Sequence, residues 1–250
     1  MGREWAPTDI EFNERPGAWL SEATNRTHRV HDLLPATFAA YARIFHPAGR
    51  TWNPDSRQYV ESVSWRNVAS ANGRIAHPAM EWGSIVGPYE KLPNNDLWDK
   101  EPNTGQLPYR ETQALAGTLA MHTSTPDQCW FAFWEGRNFS DLPSHAPRLN
   151  ACGCGPMVVM GGPITRATDT FEDYGPNLWW PHDRAWCVAT NIDLMTTYIG
   201  GSTKCINHLL ENPAIESVVV QPDQDVTWRA DIINPLPAVA FEHRRQRWLP

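Results

Sequence analysis

The sequence predicts an α+β fold: helices in the N-terminal half, a mostly antiparallel sheet in the C-terminal half, and short elements joined by long ordered loops. Three observations lead there. Helix-spaced apolar positions come before residue 123, strand-like apolar runs come after residue 129, and one more helix falls between the last strands. That order fits α+β better than alternating βαβ units. The 22 prolines interrupt helices and central strands, which keeps the elements short. Thirteen tryptophans and eight phenylalanines among 250 residues are too much apolar surface to leave in water, so the chain builds a core and is not disordered.

Taken in order, residues 1–32 read as an irregular N-terminal arm, with Pro7, Pro16 and isolated Trp5 and Trp19 but no sustained period. The first helix is expected from Leu33, with Pro35 in its first turn and Phe38, Tyr41, Ala42 and Phe45 on one stripe, stopped by Pro47 and Gly49. A second is expected from Tyr59 to Ala71, and Asn72-Gly73 closes it. Residues 87–110 hold four prolines and read as a long loop. The third helix spans Arg110 to Thr123, with Leu115, Leu119 and His122 on one face.

Strands follow. Cys129 to Trp134 is a short apolar run bounded by Pro126-Asp127 and Gly136, the pattern of a strand buried on both faces. Pro156 to Met160, Ala185 to Ile192 and the β-branched run Ile215 to Val220 read as further strands. Between the last two, Gly200-Gly201 breaks the chain and Ser202 is an N-cap for a helix that uses Cys205, Ile206, Leu209 and Leu210 before Asn212-Pro213. A single domain is expected over residues 33–240, followed by a basic tail, 241–250, with Arg244, Arg245 and Arg247.

Charge and composition exclude some functions. With 21 basic and 28 acidic residues the net charge is −7. This disfavours nucleic acid as the main partner, because phosphate neutralisation needs a basic surface. It suits a basic protein partner. No run approaches the roughly 18 apolar residues of a spanning helix, and Met1-Gly2-Arg3-Glu4-Trp5 is not an export signal. A cytoplasmic protein is therefore expected. The odd number of cysteines, Cys129, Cys152, Cys154, Cys187 and Cys205, argues for reduced thiols.

The candidate binding residues cluster between 179 and 198. Trp179, Trp180 and Trp186 surround Asp183 and Arg184, while Asp193 and Tyr198 follow. An Asp–Arg pair among aromatic rings can hold a carboxylate, phosphate or base through the planar guanidinium. The competing reading is a turn in which Arg184 lies on a tryptophan and Asp183 closes the loop. Asp193 either binds a cation or sugar hydroxyls, or accepts turn N–H groups. The tryptophans either form a stacking platform or fill the core. Cys152, Cys154, Cys205 and His208 are weak metal candidates, since the one-residue Cys152–Cys154 gap is shorter than a zinc knuckle requires. No metal and no cofactor are expected. Neither a zinc-protease histidine pair nor a nucleophile elbow occurs, and the glycines around 153–162 lack a Walker lysine.

Asn177-Leu-Trp-Trp-Pro-His-Asp-Arg-Ala-Trp-Cys-Val-Ala-Thr-Asn-Ile-Asp193, with Thr197-Tyr-Ile-Gly-Gly-Ser202 behind it, resembles the core of an uncharacterised family of actinobacterial cytoplasmic proteins. Tyr41-Ala-Arg-Ile-Phe-His-Pro47 and His122-Thr-Ser-Thr-Pro-Asp-Gln-Cys-Trp-Phe131 resemble it too. That resemblance carries no function. The order of Leu34-Pro35, Asp183 to Trp186, Tyr198 and the helix from Ser202 is also similar to the SUKH superfamily, which implies a toxin-neutralising immunity protein. It departs from the superfamily at His46-Pro47-Ala48-Gly49, where that pattern has Asn-Gly-Gly. The reading that follows is a non-enzymatic, protein-binding module. Its alternative is an enzyme or small-ligand binder with a pocket of Trp, Asp and Arg around residues 179–202.

Overall fold

In a computed structural model, which describes residues 4–12, 16–20, 28–51, 60–86, 97–137, 139, 142–151 and 155–234, the expected first helix is a β-strand. Strand β1 (Ala40–Phe45) lies inside a curled antiparallel sheet of eight strands. The α+β division with helices gathered in the N-terminal half is thereby overturned: the molecule is mostly sheet, and its few helices are scattered along the chain. The reason lies in the pattern itself. Tyr41, Ala42 and Phe45 fit a helical stripe, but Tyr41-Arg43-Phe45 and Ala42-Ile44 also alternate across a pleat. All five are buried, so the run satisfies a strand covered on both faces. What selects the strand is pairing with distant segments, Ile199 opposite Ala42 on one side and Val219 opposite it on the other.

The chain divides into two compact units, Met1–His46 with Thr104–Asp223, and Pro47–Asn103 with Gln224–Pro250. The first unit holds the large sheet. Its strand order is β10-β1-β9-β8-β7-β4-β6-β5, with β4 Cys129–Trp134, β5 Leu149–Asn150, β6 Pro156–Gly162, β7 Leu178–Pro181, β8 Trp186–Ala189, β9 Thr196–Gly201 and β10 Ser217–Val220. Each neighbouring pair is antiparallel. A short helix, α1 (Val30–Leu33), precedes β1. The strands expected at 129–134, 156–160, 185–192 and 215–220 all form, trimmed or extended by a few residues.

One sheet face carries Phe131, Phe133, Met160, Trp179, Trp186, Val188 and Ile199. Helices α4 (Tyr109–Ala120) and α5 (Thr203–Leu210) add Leu115, Leu119, Ile206 and Leu209 to that core. Ser202 caps α5 as expected, its hydroxyl accepting from the Cys205 N–H at 3.2 Å. The N-terminal arm contributes Trp5, whose ring lies 5.1 Å from Phe131 and beneath the Arg166 guanidinium at 3.4 Å. The opposite face needs small residues to admit large rings. Trp130 pairs with Gly161 in the register, and its ring occupies the place a Gly161 side chain would take, 2.8 Å from an added Cβ. Phe38 fills the gap over Gly200 in the same way, at 2.3 Å. The glycines near 160 are therefore strand positions beneath aromatic rings, not a nucleotide loop.

The second unit contains the hairpin of β2 (Ala48–Thr51) and β3 (Val60–Val63), followed by α2 (Trp65–Ala71) and α3 (Trp82–Ile85). The expected helix over 59–71 is thus half strand and half helix, and Tyr59 lies outside the described residues. Ser64 marks the change, its hydroxyl accepting from the Asn67 N–H at 3.2 Å. Trp65, Trp82 and Trp98 form the core here, with successive ring centroids 5.4 and 5.0 Å apart. The His77 imidazole meets the buried Asp231 carboxylate at 2.9 Å.

Candidate functional site

Strands β7, β8 and β9 and the turns between them present the residues singled out by the sequence. The four aromatic candidates are not on the surface. Trp179, Trp180, Trp186 and Tyr198 are at most 2% exposed. Strand alternation sends Trp179 and Trp186 to the α4–α5 face, where their rings meet edge to face at 5.3 Å. The Trp186 indole N–H donates to the Leu119 carbonyl, 3.0 Å away at the end of α4. Trp180 packs from the other face against Trp19, with centroids 6.4 Å apart. Tyr198 lies beside Phe45 and the buried Arg43, whose guanidinium is 4.9 Å from the Phe45 ring and 5.9 Å from that of Tyr198. The stacking-platform expectation is therefore replaced by the core role.

Asp183 and Arg184 are exposed at the hairpin turn. The Asp183 carboxylate accepts from the Ser124 N–H at 2.7 Å, the Ser124 hydroxyl at 2.8 Å, the Thr123 hydroxyl at 2.8 Å and the Ala185 N–H at 3.1 Å. Burial pushes this carboxyl up, but the four donors outweigh it and hold the pKa below the usual aspartate value. The Asp183 N–H donates to the Thr125 hydroxyl, and the His182 N–H to the Gln128 carbonyl. Asp183 thus joins the 182–185 turn to the 123–128 loop, two segments that the sequence gives no reason to pair. Arg184 has φ of 57° and points towards Trp19, its guanidinium 5.5 Å from the ring. The two residues do not converge on a common ligand position.

Asp193 is exposed in the turn between β8 and β9. There the acceptor is Asn191, whose side-chain oxygen takes the Asp193 N–H at 2.9 Å. A buried polar thread runs nearby: His46 Nε2 lies 2.9 Å from Thr197 Oγ1, which is 2.7 Å from Thr190 Oγ1. Nothing local in the sequence marks this thread, because His46 and Thr197 are 151 positions apart.

Among the described residues, the thiols offer no nucleophile. Cys129 is pushed up to about 12 by burial and then by the Asp183 and Asp127 carboxylates. Burial alone raises Cys205 to about 11 and lifts Cys187 as well. All three are thiols at neutral pH. Cys152 and Cys154 lie outside the described residues. Among the described residues, the Nδ1 of His208 meets another histidine, lying 2.9 Å from Nε2 of His122. Among the described residues, no three histidine, cysteine, aspartate or glutamate side chains gather into a metal cage. Nor is any helix among them long and apolar enough to cross a membrane.

Compared with protein-family profiles, with curated proteins and with solved structures, the chain has no match in any of the three.

Proposed function

We propose that this chain is a non-catalytic module that binds a basic protein partner through the exposed acidic turns at the two ends of strand β8. The observation that carries this reading is the separation of the candidate site. Its aromatic members are sealed in the core, and only the turn residues Asp183, Arg184 and Asp193 reach solvent. An open pocket walled by Trp179, Trp180, Trp186 and Tyr198 would favour a ligand binder or an enzyme, and burial removes those walls. Asp127 is a second exposed carboxylate in the same corner, since it and Asp183 both act on the Cys129 thiol. Together with a net charge of −7, these carboxylates favour a basic partner, because complementary charge acts chiefly on encounter rate and is screened by salt. The SUKH resemblance gives the partner class to try first, a basic toxin enzyme.

The test is affinity capture from the native host at low and at high salt, followed by surface plasmon resonance with the purified partner. Asp127→Lys with Asp193→Lys should lower the on-rate by about tenfold and flatten its salt dependence, with little change in dissociation. Asp183 is left intact because it holds the turn. An affinity indifferent to both charge reversal and salt would refute the electrostatic reading.

A further inference from the structure

In the second unit, the turn 231–234 is built inside out. A surface turn ordinarily buries its apolar side chains and offers its polar ones to water. Here Asp231 and Asn234 are the buried members. The Asp231 carboxylate accepts from the Asn234 N–H at 2.7 Å, the Ile233 N–H at 3.0 Å and the Glu81 N–H at 3.3 Å, besides meeting His77. Asn234 clamps the segment that follows α2: its side-chain oxygen accepts from the Ile75 N–H at 3.0 Å, and its amide donates to the Ile75 carbonyl at 2.8 Å. The apolar side chains are left outside. Ile232 is 87% exposed, Ile75 60% and Ile233 51%, and Trp228 in the same stretch is exposed as well. These isoleucines cannot retreat inward without breaking buried hydrogen bonds, which are costly to leave unmade. The turn therefore holds apolar groups in water by construction.

The local charge is inverted too. The chain as a whole carries −7. Segments 71–80 and 226–234, however, hold Arg74 and Arg229 and a single carboxylate, the buried Asp231. The Arg229 guanidinium lies 4.7 Å from the Trp228 ring. Residues 235–250 follow directly, outside the described residues, and their sequence adds Arg244, Arg245 and Arg247 against Glu242. Such a surface complements one that is anionic at its face and apolar beneath. A lipid surface has that chemistry: headgroup phosphates suit arginine, the boundary below them suits isoleucine, and tryptophan favours the level between. A groove on an acidic protein shares the charge but fits a flat or ridged patch, whereas a side chain as exposed as Ile232 has almost no neighbours and stands out as a prong. We propose that Ile75, Trp228, Ile232 and Ile233, flanked by Arg74 and Arg229, form a peripheral docking surface for anionic membranes. The arginines draw the chain to the headgroups, and the isoleucines dip between them. This surface is separate from the carboxylates assigned to a basic partner, which belong to the first unit.

The test is co-sedimentation of the full chain with vesicles of phosphatidylcholine, with and without phosphatidylglycerol. Binding to the anionic vesicles should be about tenfold or more stronger than to the neutral ones and should weaken as salt is raised. Ile232→Ser with Ile233→Ser should lower it by about tenfold or more, and Arg229→Gln by severalfold. Both isoleucines are exposed and the Ile233 backbone N–H is retained, so the double variant should melt with the wild type by circular dichroism. The proposal is overturned if anionic vesicles leave the chain in the supernatant, or if the isoleucine variant sediments as the wild type does. It is equally overturned if soluble polyglutamate binds through these isoleucines while vesicles do not, which would assign the surface to an acidic protein.

Discussion

Replacing Trp186 by alanine removes the side chain that ties β8 to α4. Its ring is fully buried, stands edge to face with Trp179 at 5.3 Å, and donates to the Leu119 carbonyl at 3.0 Å. Large-to-small changes at such aromatic sites cost about 3–5 kcal/mol through lost transfer energy and the cavity left behind. The indole hydrogen bond adds about 1 kcal/mol, and this part is not enlarged by an orphaned acceptor, because the Leu119 carbonyl keeps the His122 N–H. The sum is about 4–6 kcal/mol, a large share of a typical stability of roughly 5–15 kcal/mol. At about 2–4 °C per kcal/mol for a chain of this size, the melting temperature should fall by roughly 8–24 °C. Trp186→Phe separates the contributions: it keeps most of the apolar volume, loses the hydrogen bond, and should cost about 1–2 kcal/mol. Thermal and urea denaturation monitored by circular dichroism measure both variants. A Trp186→Ala protein that melts within about 2 °C of the wild type would refute the reasoning, since no fully buried indole can be removed so cheaply.

Three further outcomes are expected. Gly200→Ala brings a Cβ to 2.3 Å from the Phe38 ring and should destabilise by about 1–3 kcal/mol; in a Phe38→Ala background the same change should be nearly neutral, a coupling that a double-mutant denaturation cycle reads directly. Asp183 titrates below its unfolded value, so its contribution is present above the unfolded pKa and is lost as pH falls through the folded one; Asp183→Asn should be less stable than wild type at neutral pH, with the gap closing on acidification in pH-dependent urea melts. Cys129, Cys187 and Cys205, raised by burial, should resist iodoacetamide in the native protein, and peptide mapping that finds any of them labelled without prior unfolding would contradict their placement.

What the sequence by itself determined are the elements whose signals are local. The run Cys129 to Trp134, too short for a helix and apolar on both alternating faces, allows only a doubly covered strand. Ser202 has a hydroxyl that satisfies the first free N–H groups of a helix wherever the chain goes afterwards. Tertiary structure alone decided the rest. Residues 40–45 fit a helix and a strand equally well in pattern, and partners far along the chain, β9 and β10, chose the strand. The role of Asp183 was legible only as a carboxylate in a turn, because the Thr123 and Ser124 donors that engage it are about sixty positions away and marked by nothing in composition. His122 and His208 likewise carry no joint signature, since 86 residues separate them. They become a pair only where α4 and α5 pack on one face of the sheet: the closeness of two side chains from different elements depends on how those elements dock, a long-range property that no local period encodes.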